Sequence, residues 1–141
     1  MPVLPQVPSS APFSLTLRVY WEDTDAGGVV FYANYLKFFE RARTEWLRSL
    51  GVEQQQLRES SGAIFVVSET RVRYLLPSRL DDQLIVTAAL QDGGRASLLM
   101  FQQAWRGAEL IAEGEIRIAC VDAASFRPRR IPATVMERLS A

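Results

Sequence analysis

Histidine is absent from this 141-residue sequence, and cysteine occurs once. Without imidazole there is no Ser-His-Asp or Cys-His catalysis and no His-containing zinc site. One thiol excludes an internal disulfide and any cysteine-cluster metal site. No sequence motif calls for another metal or a cofactor, and none is expected. Neither sign of charge is in excess: 16 basic side chains face 16 acidic ones, which argues against a nucleic-acid partner held by its phosphates. No apolar run approaches the roughly 18 residues of a membrane span. The opening stretch MPVLPQVPSSAPF lacks the basic and long apolar segments of a secretory signal. The cytoplasm is the expected location. The chemistry that remains rests on carboxylates, hydroxyls, Lys or Arg, backbone dipoles, or a borrowed cofactor.

Length, 48% hydrophobic content and 23% charge fit one globular domain with a real core. Residues 1–12 hold four of the seven prolines and are expected to form a flexible extension, with a single domain over residues 13–141. From Phe13 the sequence FSLTLRVYW alternates apolar and polar, which predicts a half-buried strand through Trp21. A polar loop, EDTDAGG at 22–28, follows. From about Ala33 the period changes: Tyr35, Phe39, Ala42, Trp46 and Leu50 recur at spacings of four and three. That is an amphipathic helix, and Leu36, Phe38 and Leu47 widen its stripe enough to predict extensive covering. Gly51 is a natural stop. Arg43 falls inside the apolar arc, with Glu40 at the i,i+3 spacing of a self-neutralising pair.

A short helical turn at 53–60 precedes four strand-like runs: Ala63–Leu76, Leu84–Leu90, Ser97–Trp105 and Leu110–Cys120. Gln91-Asp92-Gly93-Gly94 reads as the hairpin turn between the second and third of these. A last helical turn spans Ala133–Leu139. One strand, a long helix and four antiparallel strands make an α+β arrangement in which the helix covers the apolar face of the sheet. The outer edges of such a sheet invite a second copy.

The segment most informative about chemistry is Glu22 to Tyr35. Two carboxylates, Asp23 and Asp25, precede the N-terminus of the helix, whose orphan N–H groups and dipole suit an oxyanion. A carboxylate beside such donors serves as nucleophile or general base in acyl transfer. Gly27 and Gly28 let the backbone approach a ligand. The plainer reading is ordinary Asp-Gly turn chemistry. A calcium loop does not fit, because counting from Asp23 puts Asn34 at position twelve, where an acid is required. No phosphate-cradling glycine motif occurs. Cys120, alone on an apolar strand face, reads as core.

The run RVYWEDTDAGGVVFYANYLKFFERARTEWL, with VRYLLPSRLDD and CVDAASFRPRRIP at their spacings, resembles the hotdog-fold acyl-CoA thioesterases. The pattern D-x-D-x-x-G-x-V-x-x-x-x-Y-x-x-x-x-E-x-A-R places the resemblance in the 4-hydroxybenzoyl-CoA thioesterase family, nearest its Tol-Pal-associated YbgC branch, over about residues 16–135. The resemblance implies a five-stranded antiparallel sheet wrapped around one long central helix, and hydrolysis of an acyl-CoA to free acid and CoA. It implies that Asp25 is the catalytic carboxylate and that the backbone N–H of residue 32 polarises the thioester carbonyl. The YbgC branch usually has His there; this chain has Tyr32, acting by its hydroxyl or only its amide. It further implies a homodimer or a dimer-of-dimers tetramer. Arg127, Arg129 and Arg130 are candidates for the CoA phosphates because clustered guanidiniums match phosphate geometry. The alternative function is an acyl-carrier-protein or phospholipid-synthesis partner with little turnover.

Overall fold

A computed structural model describes residues 13–140, so the extension expected over residues 1–12 lies outside the described residues. Five strands and three α-helices follow the expected order: β1 (Phe13–Arg18), α1 (Asn34–Ser49), α2 (Gln54–Ser61), β2 (Ala63–Tyr74), β3 (Gln83–Gly93), β4 (Ser97–Arg106), β5 (Glu109–Asp122) and α3 (Ala133–Ser140). The strands form one antiparallel sheet in the order β1-β3-β4-β5-β2. This is the α+β architecture that the resemblance implied.

Alternation decides which side chains point at the helix. In β3, β4 and β5, Leu84, Val86, Leu98, Met100, Ile116 and Ile118 share the concave face and are buried against Phe38, Phe39, Ala42 and Leu47 of α1. Each such burial contributes about 2 kcal/mol. Cys120 belongs to this face and is fully buried. Burial pushes its thiol pKa up, which suits core packing rather than nucleophilic chemistry.

The core holds one cation. Arg43 is buried, and burial pulls its pKa down. Glu40, expected from spacing as its partner, is exposed and makes no ion-pair contact among the described residues, although its charge still favours the Arg43 cation. Arg43 Nη1 instead donates to Gln102 Oε1 at 3.0 Å. Gln102 in turn donates to the backbone oxygens of Phe39 and Thr87, at 2.9 and 3.1 Å. This amide therefore ties α1 to the middle of the sheet.

The structure differs from the sequence reading at the end of β1, at the β3–β4 turn and in the covering of the helix stripe. β1 stops at Arg18, since the Asp23 carboxylate accepts the Tyr20 N–H at 2.8 Å and folds residues 21–23 into a 3-10 turn. Trp21, placed by alternation on the buried face, is 80% exposed. The β3–β4 turn lies at Gly94–Ser97, closed by Gly94 N–H to Ser97 O at 2.8 Å, and a register shift absorbs the 90–92 segment. The helix stripe is also less covered than its width predicts. α1 packs toward β1, β3 and β4, and Leu36 stays exposed.

Candidate active site

The 23–31 segment folds back on itself as a small hairpin. Phe31 N–H donates to Asp23 O and Asp25 N–H to Val29 O, both at 2.9 Å, with Thr24 bridging Val30. At its tip Gly28 N–H closes onto Asp25 O at 3.0 Å, and Gly28 takes a φ of +80°, the left-handed conformation that favours glycine.

The two carboxylates of this hairpin have different environments. Asp23 is buried, and both of its oxygens are used: Oδ2 accepts the Tyr20 N–H and Oδ1 accepts Asn34 Nδ2, each at 2.8 Å. It joins the entry of the hairpin to the first residue of α1. Asp25 is exposed; its Oδ1 accepts the Gly27 N–H at 2.8 Å, and its Oδ2 accepts nothing among the described residues. The glycine requirement at 27 is a close approach to this carboxylate, since a Cβ there would stand 3.2 Å from Asp25 Oδ1.

Donors stand at the start of α1. Asn34 N–H turns back to Phe31 O at 2.8 Å and Leu36 N–H to Ala33 O at 3.1 Å. The N–H groups of Tyr32 and Ala33 donate to no acceptor among the described residues, and no side chain caps the helix. Two unpaired N–H groups at the positive end of a 16-residue helix are suited to receive a carbonyl oxygen that gains charge.

Beside these donors opens a cleft of about 280 Å³ lined by Val30, Tyr32, Tyr35, Tyr74, Leu75, Leu76 and Pro77. The Tyr32 ring is exposed and meets the edge of Tyr74 at 6.0 Å; Tyr74 also lies 5.6 Å from Tyr35. The floor is polar but satisfied. Tyr35 Oη and Ser78 Oγ share a hydrogen bond in the interior, and burial raises the Tyr35 pKa despite it. Burial also raises the pKa of Tyr74. The cleft is an uncharged, largely apolar slot ending at the helix N-terminus.

The arginines expected to bind phosphate lie elsewhere. Arg129 Nη1 donates to Ser61 O at 2.7 Å, next to the Ala63 end of β2, while Arg127 and Arg130 are exposed nearby on the same segment. Tyr74 marks the other end of β2, eleven residues or about 35 Å away. Within one chain Arg127, Arg129 and Arg130 are therefore not brought to Asp25 and Tyr32.

The profile of the Thioesterase-like superfamily matches residues 19–139. The chain belongs to this superfamily. It is 42% identical over 123 residues to the acyl-CoA thioesterase YbgC of Haemophilus influenzae, covering 87% of this chain and 90% of that protein. It is 43% identical over 126 residues to the acyl-CoA thioester hydrolase YbgC of Escherichia coli O6:H1, covering 88% and 92%. Among solved structures, a probable thioesterase from Bartonella henselae superposes with a TM-score of 0.79 at 32% identity, covering 84% of this chain and 98% of that one. The hotdog architecture expected from the sequence is thus the fold of this thioesterase-like chain.

Sequence reasoning located Asp25, Gly27, Gly28 and Tyr32, and the structure gathers them around one hairpin and one helix end. It missed Ser78, Tyr74 and Asn34. Ser78 lies 43 positions from its partner Tyr35 and carries no local pattern. Asn34 had only a weak signal, an amide at the start of a helix; its bond to Asp23, eleven residues earlier, is a tertiary contact.

Proposed function

We propose that this chain hydrolyses acyl-CoA thioesters, and that Asp25 and the N-terminus of α1 carry the reaction. The observation that supports this reading is the contrast between the two aspartates, one sealed into the fold and one exposed in the hairpin that leads directly into the unpaired helix N–H groups. The thioester carbonyl oxygen lies toward the Tyr32 and Ala33 N–H groups, and the acyl group enters the aromatic cleft. Asp25 then acts in one of two ways. As nucleophile it adds to the carbonyl carbon and expels the CoA thiolate, which takes a proton; water hydrolyses the resulting anhydride. As general base it removes a proton from the attacking water. In both cases the helix end stabilises the oxyanion. Tyr32 contributes by its amide, its ring serving as a cleft wall.

The reading includes a homodimer. β2 is an edge strand, and its concave face is left uncovered by α1, with Val67 49% exposed. Antiparallel pairing of β2 with its copy sets the Ala63 end of one strand beside the Tyr74 end of the other. Arg127, Arg129 and Arg130 of one protomer would then reach CoA phosphates at the site of its partner. The protein works in the cytoplasm, and acyl carrier protein, which presents its thioester on a phosphopantetheine arm like that of CoA, is the alternative ligand.

The test is Asp25→Asn with a panel of acyl-CoAs and detection of released thiol. Turnover should fall by about 10² to 10⁴, with unchanged secondary structure. Full turnover by the variant would remove Asp25 from the mechanism. Single-turnover hydrolysis in heavy-oxygen water tests the nucleophilic role, because label in Asp25 requires an anhydride whose aspartyl carbonyl is attacked by water.

A further inference from the structure

We infer that Arg106 is a positioning residue for the reaction, acting on Asp25 through the 77–82 loop. This rests on the assignment of Asp25 above. Arg106 stands at the end of β4, away from the hairpin, and its planar guanidinium makes three contacts at once. Nη1 donates to Pro77 O at 3.1 Å and to Asp82 Oδ2 at 2.9 Å, and Nε donates to Glu109 Oε1 at 3.2 Å. Asp82 Oδ2 also accepts the Arg79 N–H at 2.8 Å, while Asp82 N–H returns to Arg79 O at 3.1 Å. One side chain thus ties both ends of the loop.

That loop is the support beneath the hairpin. Ser78 O accepts the Val30 N–H at 2.8 Å, and Arg79 bridges Val29. Val29 O is in turn the acceptor for Asp25 N–H. Hydrogen bonds joined by single peptide links lead from Arg106 through Pro77 and Asp82 to Ser78 and Arg79, then to Val29, Val30 and Asp25. The loop also holds Asp81 at a φ of +72°, a left-handed conformation in a residue other than glycine. Such strain persists only where neighbours over-determine the backbone. Two of those neighbouring contacts are made by Arg106. The carboxylates facing its guanidinium are Asp82 and Glu109, both already hydrogen-bonded to it.

A brace that merely stabilises the fold would lower stability without regard to Asp25. A positioning residue loses its effect on rate once Asp25 is gone. The experiment compares Arg106→Gln and Arg106→Lys in the wild-type and Asp25→Asn backgrounds, using thiol release from acetyl-, butyryl- and benzoyl-CoA. Amide hydrogen exchange at Val29 and Val30 is followed in parallel. Arg106→Gln should lower kcat by about tenfold to 10²-fold, as expected of a small misplacement of a reacting group. KM should move by less than about threefold. Arg106→Lys should restore part of the rate. In the Asp25→Asn background Arg106→Gln should change the residual rate by less than about twofold, the non-additivity of groups acting through one another. Exchange at the Val30 N–H should quicken while Ile116 and Ile118 in β5 stay protected.

Full kcat in Arg106→Gln, or an equal loss with and without Asp25, overturns the inference. If Asp25→Asn keeps wild-type turnover, the assignment of Asp25 falls instead. Should none of the three thioesters be turned over, exchange decides: unchanged protection at Val30 in Arg106→Gln rules the linkage out.

Discussion

Asp23 and Asp25 are two positions apart, and their surroundings are opposite: one is buried and the other exposed. Asp23 accepts two hydrogen bonds in the interior and has no oxygen left for a substrate. Replacing it by Ala strands the Tyr20 N–H and the Asn34 amide, so Asp23→Ala should cost about 2–4 kcal/mol, read as a lowered urea midpoint. Asp25→Asn should unfold at the wild-type midpoint, because its carboxylate is exposed and makes one local bond. The pair of measurements separates fold from catalysis at neighbouring positions. Both acids were legible as candidates in the sequence. Which of them was free was not, because burial of Asp23 depends on Asn34 and on the path of the chain after β1. The same limit applies to Arg43. Helical spacing puts it in the apolar arc and offers Glu40 as a partner, yet its acceptor is Gln102, 59 residues away.

At the scale of elements, the hairpin, the 77–82 loop and the start of α1 form one assembly, and its charged part is sensitive to acid. Burial alone would raise the Asp82 pKa. The Arg79 N–H and the Arg106 guanidinium outweigh that effect and hold it below the ordinary carboxylate value. A carboxyl depressed on folding contributes stability above its unfolded value of about 3.9. That contribution is lost as the pH falls through the lower folded value and the proton binds. Stability measured by urea should therefore decline, as the pH falls below about 4, more steeply in the wild type than in Asp82→Asn. Parallel slopes would show that Asp82 gains nothing from its partners. The strands and α1 were readable because their periods repeat over many residues. The hairpin tip and the loop beneath it hold no such period, and hydrogen bonds between distant segments decide their shape.

For the whole molecule, the decisive feature is the half of the sheet that α1 does not cover. β2 presents a free edge and an exposed Val67. A guanidinium placed there is costly to bury against a second copy, so Val67→Arg should give a monomer by sedimentation. If the arginines act across the interface, the same change should raise the KM for acyl-CoA while leaving secondary structure intact. A Val67→Arg dimer as tight as the wild type would move the interface elsewhere. In the proposed dimer, the separation of Arg127, Arg129 and Arg130 from Asp25 within one chain would be closed across the interface.

The sequence by itself determined the order and type of the elements, the α+β class, the exclusion of imidazole chemistry and the position of the candidate carboxylate. These are local or compositional properties: a period of two or 3.6, a missing residue type, a motif within one short segment. Only the tertiary structure decided which aspartate is free, which group accepts the Arg43 hydrogen bond, where the cleft opens and how far the arginines stand from the helix end. Each of those depends on residues many positions apart sharing one hydrogen bond or one buried surface, which no local pattern encodes.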